Sequence, residues 1–332
     1  MKKLLIGYII TVCLLSCGKE VKDEFHPYTN LAINDTTWSK NSISKGFTDS
    51  MSKAFPFINY TATFPCSSDK TINLVDTSLT IAFTPYACID PGTGNVISNG
   101  NITVQLVWLR NKGDFIKFLI PTTSTKYLLQ SAGTFNVQVS QNNMPLAIAS
   151  TSNYTLKWLD KTPFSYPKFL SMNSLTNTDS LFSWDTNKYG STLNWDSTGI
   201  AVNPANATKK GYLLSTKVTG WISSGQFLDT LSTARTRTNI LLSPNFTNKN
   251  TLVFVVFKNL RTVVRLAPDF TNRCFYTNNV PVGASVSIVT ISYIDNNFYL
   301  GVKDAVINSA NAVNVTPQKS TAPDILSILD NL

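Results

Sequence analysis

Hydrophobic residues recur along this chain with the two-residue period of β-strands. Short runs that alternate, or that are apolar throughout, extend from about residue 59 to residue 316, and turn-forming Asn, Gly, Pro and Asp residues separate them. The predicted strands are Asn59–Phe64, Leu79–Phe83, Ile102–Leu109, Thr134–Ser140, Tyr154–Leu159, Gly211–Val218, Asn239–Leu242, Leu252–Lys258, Thr262–Leu266, Ser285–Ile294, Phe298–Val302 and Ala312–Thr316. Short strands with frequent turns predict antiparallel sandwiches or barrels.

The clearest hairpin in the pattern covers residues 285–302. Its first strand is apolar on both faces, and Asp295-Asn296-Asn297 offers residue types that tolerate the positive φ of a tight turn. The run Leu252-Val253-Phe254-Val255-Val256-Phe257 has the same two-sided character. A strand that is apolar on both faces is covered on both faces. We therefore expect these two segments to form the core of one domain.

Helical signal is confined to the C-terminus. Thr321–Leu332 carries Pro323 near its start, an acidic residue in its first turn, and an apolar stripe. A Pro- and Ser-containing segment at residues 162–167 divides the strand series in two. The predicted fold class is all-β, with two antiparallel sandwich-like domains at residues 51–160 and 161–332, the second ending in a short helix.

The N-terminus has the pattern of a secretory signal peptide. Two lysines precede a 13-residue apolar run, residues 4–16, which is short for a membrane span. The segment Leu14-Leu15-Ser16-Cys17 resembles a bacterial lipobox, which predicts cleavage after residue 16 and lipid attachment to Cys17. Two or more acyl chains give stable membrane anchoring. We expect a signal peptide at 1–16, a tether at 17–50, and an outer-membrane protein facing either the periplasm or the cell surface.

Composition argues against most enzyme classes. Of the 19 carboxylates, 17 are Asp, and neither Glu nor His occurs after His26. Histidine-dependent nucleophilic catalysis and His-containing zinc sites are therefore excluded from the globular part. The formal charge of +9 contains no concentrated basic run, so we expect no nucleic-acid partner. No cofactor or metal is expected.

One segment combines acidic and aromatic residues. Asp179, Asp185 and Asp196 lie near Trp184, Tyr189 and Trp195. Paired carboxylates can hydrolyse glycosidic bonds, and exposed indole rings can stack on sugars. The alternative interpretation is that the Asp residues occupy turns and the tryptophans fill a core. The candidate ligand-binding set is Trp184, Tyr189, Trp195 and Trp221.

Three cysteines remain in the globular part. Cys66 and Cys88 form the candidate disulfide, closing a 22-residue loop worth ~3 kcal/mol in the chain-entropy model. Buried free thiols are the alternative, since a direct hairpin would carry Cys88 past its partner.

Several short segments resemble a known group of proteins. Leu79-Thr80-Ile81-Ala82-Phe83-Thr84-Pro85, Gly100-Asn101-Ile102-Thr103-Val104-Gln105-Leu106, Lys112-Gly113-Asp114 and Leu128–Phe135 resemble the first domain of uncharacterised Bacteroidota lipoproteins and, more distantly, the ZU5 β-sandwich. Gly220-Trp221-Ile222, Pro281-Val282-Gly283 and Tyr299–Lys303 resemble the second half of those lipoproteins. The resemblance implies an envelope β-protein and supplies no catalytic residues.

The sequence thus predicts a non-enzymatic, lipid-anchored envelope protein that acts as a protein-interaction or structural module. The alternative is a carbohydrate-binding surface lipoprotein, and a third hypothesis is an Asp-dependent glycan hydrolase. The expected partners are the membrane, through Cys17, and envelope proteins or glycans.

Overall fold

The computed structural model describes residues 38–39, 43–56, 58–74, 78–124, 127–173, 183–197, 209–228, 234–308 and 311–332. Three helices are present in these ranges: α1 Lys45–Ala54, α2 Lys112–Lys117 and α3 Ala322–Asp330. The strands are β1 Asn59–Pro65, β2 Lys70–Leu74, β3 Leu79–Phe83, β4 Cys88–Ile89, β5 Asn101–Leu109, β6 Leu129–Gln141, β7 Met144–Pro145, β8 Ala147–Ile148, β9 Tyr154–Leu159, β10 Lys168–Asn173, β11 Ser183–Thr186, β12 Gly190–Ser197, β13 Lys209–Thr216, β14 Gly220–Phe227, β15 Arg235–Leu241, β16 Thr251–Phe257, β17 Val263–Arg265, β18 Ala267–Asp269, β19 Cys274–Pro281, β20 Ser285–Ile294, β21 Asn297–Val306, β22 Asn311–Asn314 and β23 Gln318–Ser320. The predicted all-β class is confirmed.

Two sheets enclose the first core. One has the strand order β1-β5-β6-β14-β10-β11, with β7 beside β6, and the other has the order β12-β13-β9-β3-β2. Inward-facing residues of both sheets meet in one cluster that includes Phe135, Trp158 and Tyr212. The alternation that predicted β9 is visible in its burial, because Tyr154, Leu156 and Trp158 are buried while the residues between them are not.

A further pair of sheets encloses another core. The sheet β17-β16-β20-β21-β23 packs on the sheet β18-β19-β15-β22 through residues such as Val255, Ile288 and Phe275. The other face of β16 and β20 contacts the three helices and residues of the sheet β1-β5-β6-β14-β10-β11. We call this cluster the core of sheet and helices. Strand β15 pairs with β22 in parallel, whereas the other pairings between named strands are antiparallel.

The predicted hairpin and central strands are confirmed. Strands β20 and β21 pair antiparallel, and the turn between them consists of Asp295 and Asn296, at φ 51° and 60°. Strand β16 is buried at every position and pairs with β20 along its whole length. Both strands are apolar on two faces because each face contacts a separate core.

Strand pairing continues across the predicted domain boundary at residue 160. Strand β14 pairs with β6, and β13 pairs with β9, so residues 209–227 belong to the same two sheets as residues 59–159. The described residues lie in one compact unit, Thr36–Leu332. The turn-rich segment at residues 162–167 therefore connects strands of one sandwich, because turn chemistry marks a chain reversal whether or not a domain ends there.

Two helices, α1 and α2, were not predicted from the sequence. Helix α1 begins inside the stretch expected to be a tether, yet Phe47 and Met51, one turn apart, are buried in the core of sheet and helices. Ser39 also donates its backbone N–H to the Oδ1 of Asn248 at 3.0 Å. Packed structure therefore begins before residue 51. The predicted helix at Thr321–Leu332 is confirmed as α3, with Thr321 at its N-cap.

Within the ranges given above, no helix has the length and apolar character needed to cross a membrane.

Candidate ligand-binding site

A shallow cavity of about 190 Å³ opens on the outer face of the sheet β12-β13-β9-β3-β2. Residues of four strands and one adjoining segment line it: Ser78, Thr80, Lys157, Trp158, Leu159, Trp195 and Lys209. A concave surface with both apolar and polar groups is the ordinary form of a small-ligand site.

Strand alternation places these residues on the outside of the sheet. In β9, Leu156 and Trp158 point into the core, so Lys157 and Leu159 face outward. Thr80, in the neighbouring strand β3, pairs with Lys157 and lies on the same face of the sheet. The outer face of the sheet therefore carries a cation and a hydroxyl side by side, while the inner face packs in the first core.

Trp195 extends toward Lys157 from the edge strand β12. Its pairing partner in β13 is Gly211, so no side chain stands between the indole and strand β9. A Cβ at position 211 would lie 2.0 Å from the backbone oxygen of Trp158, so a larger residue cannot be accommodated there without backbone movement. The indole Nε1 donates to the backbone oxygen of Tyr212 at 3.1 Å, and this bond restrains the orientation of the indole.

Lys157 and Trp195 form a cation–π contact. The Nζ of Lys157 lies 3.8 Å from the centroid of the Trp195 ring. Such a contact positions an ammonium group by the ring quadrupole and leaves its charge uncompensated. No ion pair or hydrogen bond to the ammonium is present among the residues that the structure describes. The cavity therefore contains an oriented cation beside an aromatic ring.

No carboxylate lines the described walls of the cavity. The neighbouring acidic residue of β12, Asp196, pairs instead with Lys210 at 3.8 Å, and both side chains are about half exposed. Lys209 contributes a second cationic side chain to the wall. Among the described wall residues both charged side chains are lysines, which favours a ligand with an anionic group.

The four aromatic residues predicted from the sequence have different environments. Trp184 is 1% exposed, lies in the core of sheet and helices, and donates its Nε1 to the backbone oxygen of Pro121. Trp221 is partly buried against the same core and packs edge-on to Phe118. Both residues pack against a core, and Trp195 is the one of the four that lines the cavity.

Tyr189, the fourth residue, is exposed near the other end of β12. Two lysines contact its ring, with the Nζ of Lys188 at 5.0 Å and that of Lys217 at 4.9 Å from its centroid. Trp195 lies six positions further along the chain, which in extended conformation corresponds to roughly 20 Å. The two rings therefore do not form one stacking platform for a single sugar.

The acidic residues of the predicted cluster are dispersed. Asp185 lies in β11, at the end of one sheet, and Asp196 lies in β12, at the end of the other. Asp179 lies outside the described residues. Neither described carboxylate lines the cavity, so the site offers no carboxylate pair for a glycosidase mechanism there.

Cys66 and Cys88 are both buried free thiols in the first core. Burial, with a smaller contribution from Cys66, raises the pKa of the Cys88 thiol to about 11. The structure thus has the two thiols near each other without a bond, and the disulfide stays a prediction. Cys17, the predicted lipid-attachment residue, lies outside the described residues.

Sequence reasoning did not identify Lys157, Thr80 or Lys209 as site residues. Lys157 carried a signal, because it is the one charged residue of strand β9. No sequence signal indicated that these residues lie together, because Thr80 and Trp195 are 115 positions apart and only the order of strands in the sheet brings them together.

No protein-family model and no curated protein matches the chain. The resemblance to Bacteroidota lipoproteins and to ZU5 domains therefore stays a prediction. Within the described part of the chain, no group of three or more His, Cys, Asp or Glu residues could hold a metal ion.

Proposed function

We propose that this chain is a non-enzymatic, lipid-anchored protein of the bacterial outer membrane that binds carbohydrate on the outer face of the sheet β12-β13-β9-β3-β2. The observation that carries the proposal is the partly exposed Trp195 ring in a cavity that also contains hydroxyl and ammonium groups. An indole supplies a flat apolar surface for the C–H face of a sugar, and neighbouring polar groups bond its hydroxyls.

The proposal of an envelope location rests on the lipobox-like segment at Cys17. Cells grown with labelled palmitate are expected to label the wild-type protein and not the Cys17→Ala variant. Labelling of that variant would contradict the anchor.

The test of carbohydrate binding is a glycan array probed with the full-length protein in detergent. Wild-type protein is expected to bind one class of glycans, and Trp195→Ala is expected to weaken that binding about tenfold, which corresponds to about 1.4 kcal/mol, because the ring supplies the apolar surface on which the sugar packs. Tyr86→Ala is the matched control, because Tyr86 is also an exposed aromatic residue and does not line the cavity. Equal losses in both variants, or no binding by the wild type, would contradict the proposal.

A protein partner is the second candidate function, and one observation favours it. Leu193 is 61% exposed and lies two residues from Trp195 on the same outer face of β12. A partner that covers this face would bury both side chains. In that case Leu193→Ser would abolish capture of an envelope protein by the full-length chain and leave glycan binding unchanged.

A further inference from the structure

We infer that the ligand of this cavity is an acidic saccharide, whose carboxylate binds the ammonium group of Lys157 while its ring contacts Trp195. This inference rests on the proposed carbohydrate-binding function and specifies its ligand class. Its basis is the pairing of an oriented cation with an aromatic ring, 3.8 Å apart, in a cavity without an acidic wall residue among those described.

Lys157 is already in position to bind an anion. Lysine side chains lose rotamer entropy when they bind a ligand, and this loss opposes association. The contact with Trp195 restrains this side chain before any ligand arrives, and the ring cannot neutralise its charge. The Nζ therefore keeps hydrogen-bond donors for a carboxylate, and a charge-assisted bond of this kind is stronger than a neutral one.

The other wall residues suit a hydroxylated ring. The hydroxyl of Thr80 donates to the Oδ1 of Asn73 at 3.1 Å, so its oxygen is left to accept a hydrogen bond from a ligand hydroxyl. Leu159 adds apolar surface to that of the indole. A ring with an apolar face, several hydroxyls and one carboxylate matches this combination of groups.

Two features favour an acidic saccharide over other anions. The cavity is concave, and a flat phospholipid surface cannot enter a concave site that a single sugar ring can enter. The cations among its described wall residues are lysines and not arginines, whereas the planar guanidinium is the group that matches phosphate in two-point contacts. Phospholipid vesicles and single-stranded DNA are therefore comparison ligands in the test.

The experiment is isothermal titration calorimetry of the full-length protein in detergent at low ionic strength. The probes are tetragalacturonate and its fully methyl-esterified form, which has the same rings without the charges. Wild-type protein is expected to bind the acid at least tenfold more tightly than the ester. Lys157→Gln is expected to weaken binding of the acid at least tenfold and to change binding of the ester less than twofold.

Lys217→Gln is the matched control. Lys217 also lies over an aromatic ring, that of Tyr189, and its replacement removes the same charge outside the cavity. Its effect on binding of the acid is expected to be less than twofold. Equal losses in the two lysine variants would show general charge attraction and would overturn the inference.

The remaining outcomes separate this inference from the proposed function. Equal binding of acid and ester, both lost in Trp195→Ala, would overturn the acidic ligand and leave carbohydrate binding intact. Binding of neither saccharide would overturn the inference, and the glycan array would then decide the proposed function separately. Tighter, Lys157-dependent binding of oligo(dT) or of phosphatidylglycerol vesicles would overturn the choice of a saccharide.

Discussion

At the scale of single residues, burial in the first core opposes ionisation of two tyrosine hydroxyls and one thiol. Burial raises the pKa of Tyr154 above its usual range, and its hydroxyl donates to the backbone oxygen of Val218. Burial likewise raises the pKa of Tyr212 to about 12 and that of Cys88 to about 11. The core cannot solvate the negative charge that forms when one of these groups loses its proton. The folded state therefore favours the neutral form of each group.

These pKa values predict a loss of stability at alkaline pH. For Cys88 the folded pKa, about 11, lies above the unfolded value of 9.0, so its contribution is complete below pH 9 and is lost as the pH rises toward 11. In reducing buffer, the free energy of urea unfolding is expected to fall over this range by at most about 1.4 kcal/mol per pH unit for one group.

The variant Cys88→Ala is expected to show a shallower fall between pH 9 and pH 10, before the tyrosines contribute. An unchanged pH slope in this variant would contradict the assignment to Cys88.

At the scale of secondary-structure elements, helices α2 and α3 pack unusually closely. A Cβ added at Gly113 in α2 would lie 2.0 Å from the backbone oxygen of Leu329 in α3. This approach requires glycine, because a backbone oxygen cannot move aside as a flexible side chain can. Gly46 in α1 differs, since nothing lies within 4 Å of its added Cβ.

These two glycines form a matched pair for substitution. Gly113→Ala is expected to lower the free energy of unfolding by about 1–3 kcal/mol, the usual effect of overpacking. Gly46→Ala is expected to leave it unchanged or to raise it by up to about 1 kcal/mol, because alanine restricts the unfolded chain. Urea unfolding of the two variants measures both effects, and a Gly113→Ala protein as stable as Gly46→Ala would refute the close contact.

At the scale of the whole molecule, contacts join the segments before and after residue 160. Strand β14 lies between β6 and β10 in one sheet. Asp160, 8% exposed, forms an ion pair with Arg261, and the Thr262 hydroxyl donates to the backbone oxygen of Leu129 at 2.8 Å. Removal of either segment would expose buried apolar surface and sheet edges of the other.

A chain that ends at residue 160 is therefore not expected to fold. It lacks β14 and β13, so strands β6 and β9 would each lose a partner strand and part of the first core. Near-ultraviolet circular dichroism of this fragment is expected to show no cooperative thermal transition, whereas the full-length protein shows one. A cooperative transition in the fragment would instead support the domain boundary predicted at that residue.

Local patterns in the sequence were sufficient for much of the fold. The hairpin β20–β21 and the two-sided strand β16 followed from alternation and turn residues, because these signals act between neighbours in the chain. Helix α1 was missed, since polar residues outnumber the apolar ones in it and its stability depends on burying Phe47 and Met51 in a distant core. Strand β12 was also missed, although its aromatic residue, Trp195, was singled out.

The sequence by itself determined the all-β class, the central strands, the C-terminal helix and the absence of histidine from the globular part. Tertiary structure alone decided that Trp184 and Trp221 pack against a core while Trp195 lines a cavity, because an indole ring satisfies either environment and its position in the sheets selects one. The same is true of Lys157 and Trp195, which meet because β13 presents a glycine between them. Short-range order can be inferred from adjacent residues, but contacts between distant strands depend on how the sheets are assembled.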